Sequence, residues 1–397
     1  MGINSTLNEK LSKSRARINQ LIVRNPRTYI SFLCLLAFTG YAFVLLFPML
    51  VITSISSIFT ILFENDVIDG LHFLIWFAIL LISGLISYRM IATRPVPAVG
   101  FTMPESKIPK VYEVVQRMQT HFKRPKIDRI IISADYELNI VKTPKWMLPV
   151  WSSNTLVIGL PMLICLTPHQ FEHMVARRMG QFSKQHNMIT NWLYQLNNIW
   201  KQYSYIYGKQ KSLESSLLKM FFMTFSAVYE RLSVAAARMD EFNADDYAMQ
   251  IYFHEDICEM ITTDALCRWY LEKRFWPAID KAYNEDTKDS HQPYRKLTAV
   301  IRENLNKVNK PMLNNLLMDE TIEYKNRYPS LRQRLDKIGY TEPLMKRYSG
   351  ESAADFYLGA SLNGALNLMD KLWCKNNKKI SDSKVSRKKW IPIFNNN

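Results

Sequence analysis

The sequence predicts a mainly helical α+β protein in which a transmembrane helical hairpin precedes a larger soluble region with a small sheet. Two apolar runs, about 29–53 and 71–92, each meet the roughly 20-residue requirement for crossing a bilayer. Later segments mostly have helical periodicity, whereas RIIIS and NTLVIG are typical of strands. We divide the chain into a basic arm (1–28), the hairpin (29–92), a soluble domain (93–345) and a C-terminal helix with a basic tail (346–397).

The residues that flank the apolar runs predict the orientation of the hairpin. Lys and Arg are concentrated before the first run and after the second, whereas the connecting segment ENDVIDG contains neither. Because basic flanks stay in the cytoplasm, we expect a multi-pass protein of an inner or plasma membrane with a cytoplasmic soluble domain. Pro48 predicts a kink in the first helix or its end in an interfacial segment. The aromatic stretch 191–237 is too interrupted for a third span and is expected to be a buried or membrane-grazing helix.

The net charge of +16 is compatible with binding to nucleic acid or to an anionic membrane surface. The basic residues lie mostly at the two ends of the chain without a nucleic-acid-binding motif, so we expect membrane lipid and no nucleic acid as a partner. The C-terminal basic run ends in WIPIF, which suits an anionic membrane surface, although a disordered solubilising tail explains it equally well. The five scattered cysteines favour neither a disulfide framework nor a thiolate zinc site.

A helix that begins after Thr167 and continues to about His186 contains a pattern known from zinc proteases. HQFEH, which starts at His169 and ends at His173, matches H-x-x-E-H. Helical spacing places both histidines opposite the apolar face, at the start of the helix. We therefore interpret them as two solvated histidines and not as metal ligands.

Three segments together resemble a known family. GLPMLICLTPHQFEHMVARRMGQFSKQH resembles the stretch around the H-E-x-x-H helix in the HtpX and CAAX prenyl protease family of membrane zinc metallopeptidases. ARMDEFNADDYA is similar to the helix with the family's third zinc ligand and a ligand-orienting Asp, here Glu241 and Asp245. RYPSLRQRL resembles the element Thr-His-Pro-x-Leu-x-x-Arg, with Tyr328 in the histidine's place and Arg334 at the arginine. The resemblance covers most of residues 29–340 and implies a zincin-like domain behind the hairpin.

The positions that bind and activate zinc in that family are occupied by unsuitable residues. Zinc proteolysis requires two neutral imidazoles one helical turn apart and a Glu that takes a proton from bound water. Arg177 and Gln181 replace the imidazoles, and Arg178 replaces the base. Arginine stays protonated and offers no lone pair to a cation. We therefore expect no bound zinc and no catalytic residue.

These substitutions predict a membrane-anchored pseudoprotease that binds, scaffolds or regulates another membrane or cytoplasmic protein or peptide. An extended peptide would add to the sheet near Asn139, because the family carries an Asn-Ala pair on its substrate-facing edge and this chain has Asn139 followed by Ile140. Two alternatives stay open. One is an active membrane zinc peptidase with an atypical site, and the other is a structural subunit of a membrane complex.

The substitutions also predict an ion pair between two helices. If the family's fold is shared, Glu241 and Asp245 lie across a partly buried pocket from the helix of Arg177. Without a metal, those carboxylates require another cation, and a guanidinium group binds a carboxylate through two parallel hydrogen bonds. We expect Arg177 to pair with Glu241, and Arg178 to join it or to reach Asp245 or a backbone carbonyl.

Overall fold

The structure is a computed structural model. It describes residues 25–63, 70–93, 100–123, 126–144, 152–181, 188–209, 213–285, 291–308, 310–318, 329–346, 348 and 350–382. In chain order the helices are α1 (Pro26–Phe63), α2 (Gly70–Ala92), α3 (Pro109–His121), α4 (Leu160–Cys165), α5 (Pro168–Gln181), α6 (Met188–Lys209), α7 (Leu213–Met249), α8 (His254–Tyr270), α9 (Trp276–Asn284), α10 (Pro293–Asn306), α11 (Lys310–Met318), α12 (Leu331–Lys337), α13 (Ala353–Leu358) and α14 (Leu362–Asp382). The strands are β1 (Phe101–Met103), β2 (Arg129–Ser133), β3 (Leu138–Pro144) and β4 (Ser152–Gly159).

The chain forms two compact units. The first, called the helical unit, comprises 1–97, 143–152 and 192–236, and the second, called the sheet unit, comprises 98–142, 153–191 and 237–397. Residues 192–236 therefore group with the N-terminal helices and not with the sheet. The predicted basic arm, apart from its last residues, and the end of the basic tail lie outside the described residues.

Two apolar helices begin the helical unit. Both α1 and α2 are long and apolar enough to cross a membrane, and no other helix in the described part of the chain is. Helix α1 does not end at Pro48 or near residue 53 but continues to Phe63, which corrects the first expected span. Pro48 removes only the hydrogen bond from its own position to the Val44 carbonyl, and proline is tolerated inside long apolar helices.

Aromatic side chains form the core of the helical unit. Trp200, Tyr207 and Phe222 are fully buried and belong to one cluster with α1. Phe43 of α1 stacks on Phe221 of α7, with ring centroids 3.6 Å apart and planes 10° apart. The stretch 191–237, expected as a buried or membrane-grazing helix, consists of most of α6 and the first part of α7.

A four-stranded mixed sheet lies in the sheet unit, with strand order β1-β2-β4-β3. Strand β1 is antiparallel to β2, and β2 is parallel to β4. The sequence did not predict β1, because three residues are too few for a recognisable alternation of apolar and polar side chains. Gly100 allows the pairing: it has φ of 152°, and a Cβ atom there would lie 2.3 Å from the Ile132 carbonyl oxygen.

The C-terminal segment belongs to the core of the sheet unit. Met369 and Trp373 of α14 are buried in the same cluster as the central strands β2 and β4. The stretch from Glu351 onward was expected to form one helix, but it divides into α13 and α14. The break occurs at Gly359, whose φ of 47° lies in the left-handed region that glycine adopts without a steric penalty.

Candidate functional site

Helix α5 begins as the sequence predicts and is buried along nearly its whole length. The backbone N–H of Gln170 donates to Thr167 Oγ1 at 3.3 Å, and the Gln170 side chain accepts from the Thr167 N–H at 3.1 Å, which is a capping box. Arg177 and Arg178 are only 3% and 4% exposed. Because a buried charge is unfavourable without a partner, both guanidinium groups need carboxylates nearby.

The interpretation of HQFEH as two solvated histidines is half wrong. His169 is exposed, but His173 is 6% exposed and its ring centroid lies 4.1 Å from that of Tyr252. Burial lowers the pKa of His173 to about 4, and its Nδ1 has no hydrogen-bond partner among the described residues. The sequence pattern missed this burial because Tyr252 follows α7 and is far from α5 along the chain.

Arg177 joins α5 to α7 through two carboxylates. Its Nη2 donates to Glu241 Oε2, and its Nε donates to Asp245 Oδ1 at 2.6 Å. Glu241 and Asp245 are four residues apart, so they lie on one face of α7. Arg178 Nη1 donates to Gln181 Oε1 at 2.5 Å and to Glu241 Oε1 at 3.3 Å. The structure therefore contains the ion pair expected between Arg177 and Glu241, with Arg178 as a second donor.

Two further helices contribute to this group of charges. Arg334 of α12 donates to Asp245 twice, from Nε to Oδ2 at 2.9 Å and from Nη2 to Oδ1 at 2.8 Å. Its Nη1 lies 3.8 Å from Asp264 Oδ2 on α8, and Asp264 also pairs with Arg268 at 3.2 Å. We call Arg177, Arg178, Arg334, Glu241, Asp245 and Asp264 the arginine–carboxylate cluster.

The guanidinium groups keep Glu241 and Asp264 ionised. Burial by itself would raise the pKa of Glu241, but Arg177 and, less strongly, Arg178 and Arg334 outweigh it and hold that pKa well below its usual range. Burial likewise opposes ionisation of Asp264, and Arg268 with Arg334 lowers its pKa. Burial alone would lower the pKa of Arg177, but Glu241 and Asp245 together raise it above its ordinary value.

The donor set of the cluster does not fit a catalytic zinc ion. Both oxygens of Glu241 and both oxygens of Asp245 accept hydrogen bonds from guanidinium groups. Among the described residues, no group of three or more His, Cys, Asp or Glu side chains is arranged to hold a metal ion. In chemical terms the cluster is a buried ionic crosslink between helices.

A glycine brings α5 and α7 close enough for this crosslink. A Cβ atom on Gly180 would lie 2.2 Å from the Cβ of Tyr247, which is shorter than any real contact between such atoms. Since Tyr247 Cβ is attached directly to the backbone of α7, a rotamer change cannot relieve the contact. Gly180 thus sets the helix spacing beside Arg177 and Gln181.

The remaining expected site residues lie elsewhere or outside the described part of the chain. Asn139 is on β3 at one edge of the sheet, and its Nδ2 donates to Glu137 Oε2 at 2.8 Å. Tyr328 lies outside the described residues. The sequence did not single out Asp264 or Arg268. Their spacing of four residues was the available signal, but such pairs are usually solvated.

Comparison of the chain with known proteins finds no matching family model, no matching characterised protein and no matching solved structure. The contacts of the arginine–carboxylate cluster are therefore the main basis for a functional proposal.

Proposed function

We propose that this chain is a membrane-anchored pseudopeptidase: a zincin-like domain that binds, scaffolds or regulates a partner and does not hydrolyse peptides. The observation that carries the proposal is that Arg177 binds Glu241 and Asp245, the two carboxylates at the positions of a zinc ligand and of a ligand-orienting Asp in the family that the sequence resembles. A buried guanidinium in that place neutralises both carboxylates, and Arg178 stands at the position of the family's general base.

The proposed function requires a membrane anchor and a defined orientation of the chain in the membrane. The apolar helices α1 and α2 form a hairpin in an inner or plasma membrane, with membrane lipid as a partner and the sheet unit in the cytoplasm. Single engineered cysteines test this topology, because a membrane-impermeant thiol reagent added from outside should label the connecting segment 64–70 only. Labelling of the sheet unit from outside would overturn the orientation.

The edge of the sheet at strand β3 is the proposed binding site for a protein partner. Strand β3 lies at one edge of the sheet that the described strands form, and the edge of a sheet can accept an extended peptide through main-chain hydrogen bonds. Strand β1 forms the other edge and supplies a control within the same sheet. A photoreactive amino acid at Lys142 on β3 should crosslink partners that the same amino acid at Thr102 on β1 does not. Equal crosslinking from both edges would argue against a specific edge.

Metal content and peptide hydrolysis test the absence of activity directly. Full-length protein purified in mild detergent should contain zinc far below one ion per chain and should hydrolyse neither itself nor casein. The matched control is Arg178→Ala, which also lacks a base at that position. Stoichiometric zinc, or hydrolysis that exceeds this control and disappears with a chelator, would replace the proposal with the active-peptidase alternative.

A further inference from the structure

Helix α1 is longer than a membrane crossing requires. Its 38 residues extend over ~57 Å, whereas the hydrocarbon core of a bilayer is ~30 Å thick and needs about 20 residues. The segment ENDVIDG, which follows Phe63, carries carboxylates that must stay outside the hydrocarbon. Counting about 20 residues back from Phe63 places the inner boundary of the crossing near Phe43.

Helix α7 runs antiparallel to α1 at this boundary. Phe221 of α7 stacks on Phe43, with ring centroids 3.6 Å apart. Further along α7, the Ala236 N–H donates to Tyr29 Oη at 3.4 Å. Residue numbers therefore fall along α1 as they rise along α7. The residues of α7 that precede Phe221 lie beside the part of α1 that crosses the membrane.

Helix α7 is apolar on two sides at its start. On one side, Leu218 and Phe222 are fully buried in the aromatic core of the helical unit. On the other side, Leu217, Met220 and Met223 are 40%, 66% and 48% exposed. Each is three residues from the next, so they form a stripe along the helix surface. A helix that borders water carries polar side chains on its outer face, so the stripe indicates apolar surroundings.

The depth of the stripe identifies these surroundings. Leu217 lies four residues before Phe221, and Leu46 lies three residues after Phe43. Both leucines are therefore about one helical turn beyond the stacked rings, at a similar depth. Leu46 is 48% exposed in the part of α1 that crosses the membrane. The stripe on α7 thus continues the lipid-facing surface of α1.

Cations flank the stripe at the inner boundary. Lys209, at the end of α6, is exposed, and Lys219 adjoins Met220 in α7. The Tyr207 hydroxyl donates to Thr93 Oγ1 at 3.2 Å, so the end of α6 lies beside the end of α2. Lysine side chains at such a boundary extend toward lipid phosphates while their stems stay in apolar surroundings. Apolar side chains with lysines beside them suit an anionic phospholipid.

We infer that the first three turns of α7 insert the stripe of Leu217, Met220 and Met223 into the cytoplasmic leaflet of the membrane. Lys209 and Lys219 pair there with the head groups of anionic phospholipids. Helix α7 thus adds a lipid contact to the hairpin of α1 and α2 without crossing the bilayer. The inference rests on the membrane anchor of the proposed function and not on the loss of peptidase activity.

Photocrosslinking from single positions tests the inference on the full-length protein in nanodiscs of phosphatidylcholine and phosphatidylglycerol in equal amounts. p-Benzoylphenylalanine replaces one residue at a time, and mass spectrometry identifies the adducts. Met220 should form phospholipid adducts about as often as Leu46, the control inside the crossing. Arg231 is the depth control, because it is exposed on the same face of α7 as Met220 but lies ~16 Å further along the helix. It should form about a tenth as many adducts.

The identity of the crosslinked lipid tests the head-group contact. Phosphatidylglycerol should be enriched about fivefold in the Met220 adducts relative to the Leu46 adducts, because basic residues near a membrane surface attract anionic lipid. Lys209→Gln combined with Lys219→Gln should abolish this enrichment. Equal proportions of the two lipids at Met220 and Leu46 would overturn the assignment of an anionic head group.

The control positions separate failure of the inference from failure of the anchor. The inference is overturned if Leu46 forms lipid adducts and Met220 forms none, or if Arg231 forms as many as Met220. Crosslinking of Met220 to protein instead of phospholipid would also overturn it. Absence of lipid adducts at Leu46 would refute the membrane anchor itself, and the inference with it.

Discussion

Arg334 binds Asp245 with a fork of two hydrogen bonds, at 2.9 and 2.8 Å, although 89 positions separate the two residues. Arg177 donates to the same carboxylate at 2.6 Å. Asp245 therefore receives hydrogen bonds from α5 and from α12 at a single buried point on α7. The stability of the sheet unit should depend on the shape of these guanidinium groups as well as on their charge.

Arg334→Lys should destabilise the protein by about 2 kcal/mol, because lysine keeps the charge but loses the paired hydrogen bonds. Urea unfolding of the full-length protein in mild detergent, followed by tryptophan fluorescence, measures the change. Arg302→Lys is the control, since Arg302 pairs with Asp355 at an exposed position and should change stability by less than about 1 kcal/mol. Equal effects of the two substitutions would contradict a structural role for the fork.

Glu241→Gln should destabilise the protein by about 3 kcal/mol at neutral pH, because it leaves Arg177 and Arg178 with too little negative charge in a buried site. The pKa of Glu241 is depressed in the folded state, so its contribution is present above its unfolded pKa of about 4.3 and is lost as the pH falls further. The difference between wild type and variant should therefore shrink below about pH 4. Glu303→Gln, at an exposed ion pair, should leave the unfolding midpoint unchanged.

His173 should make folding sensitive to mild acid. Its pKa is about 4 in the folded protein, compared with 6.5 for the unperturbed side chain, so the unfolded state takes up a proton first as the pH falls. Its stabilising contribution is complete above pH 6.5 and declines by about 3 kcal/mol between pH 6.5 and 4. His173→Phe, which keeps a ring against Tyr252, should flatten that decline. If the His173→Phe variant loses as much stability as wild type when the pH falls from 6.5 to 4, the titration of His173 does not cause the decline.

Gly180→Ala should destabilise the protein by about 2–3 kcal/mol, although alanine is the better helix former. The new methyl group would displace α5 from Tyr247 and lengthen the contacts of Arg177. Gly364→Ala in α14 is the matched substitution, because a Cβ atom there meets nothing within 4 Å. That variant should be neutral or stabilised by up to about 1 kcal/mol, and thermal unfolding of the two variants distinguishes these outcomes.

The sequence predicted the pairing of Arg177 with Glu241 because both residues lie in segments that resemble the zinc-binding helices of a known family. Those segments occur here in the same order along the chain. A buried carboxylate without a metal requires another cation, and arginine was the available residue. Asp264 did not follow, because an Asp with an Arg four residues later is usually solvated. Its burial results from packing between α8 and α12, which no local pattern encodes.

The sequence likewise predicted some elements of the fold and missed others. The two apolar helices followed from the sequence, because length and composition are the features that make a helix able to cross a bilayer. Strand β1 did not, since three residues carry too little periodicity and the pairing depends on the close approach of Gly100 to β2. The end of α1 was also misplaced, because Pro48 was expected to interrupt a helix that continues for 15 further residues to Phe63.

The arginine–carboxylate cluster has a consequence for how the protein matures in a cell. Its cations are part of the polypeptide, so α5 and α7 acquire the charges that join them during translation. No metallochaperone, loading step or zinc reserve is needed for this contact. Cells starved of zinc should therefore accumulate the protein at the same level and with the same protease resistance as cells with ample zinc.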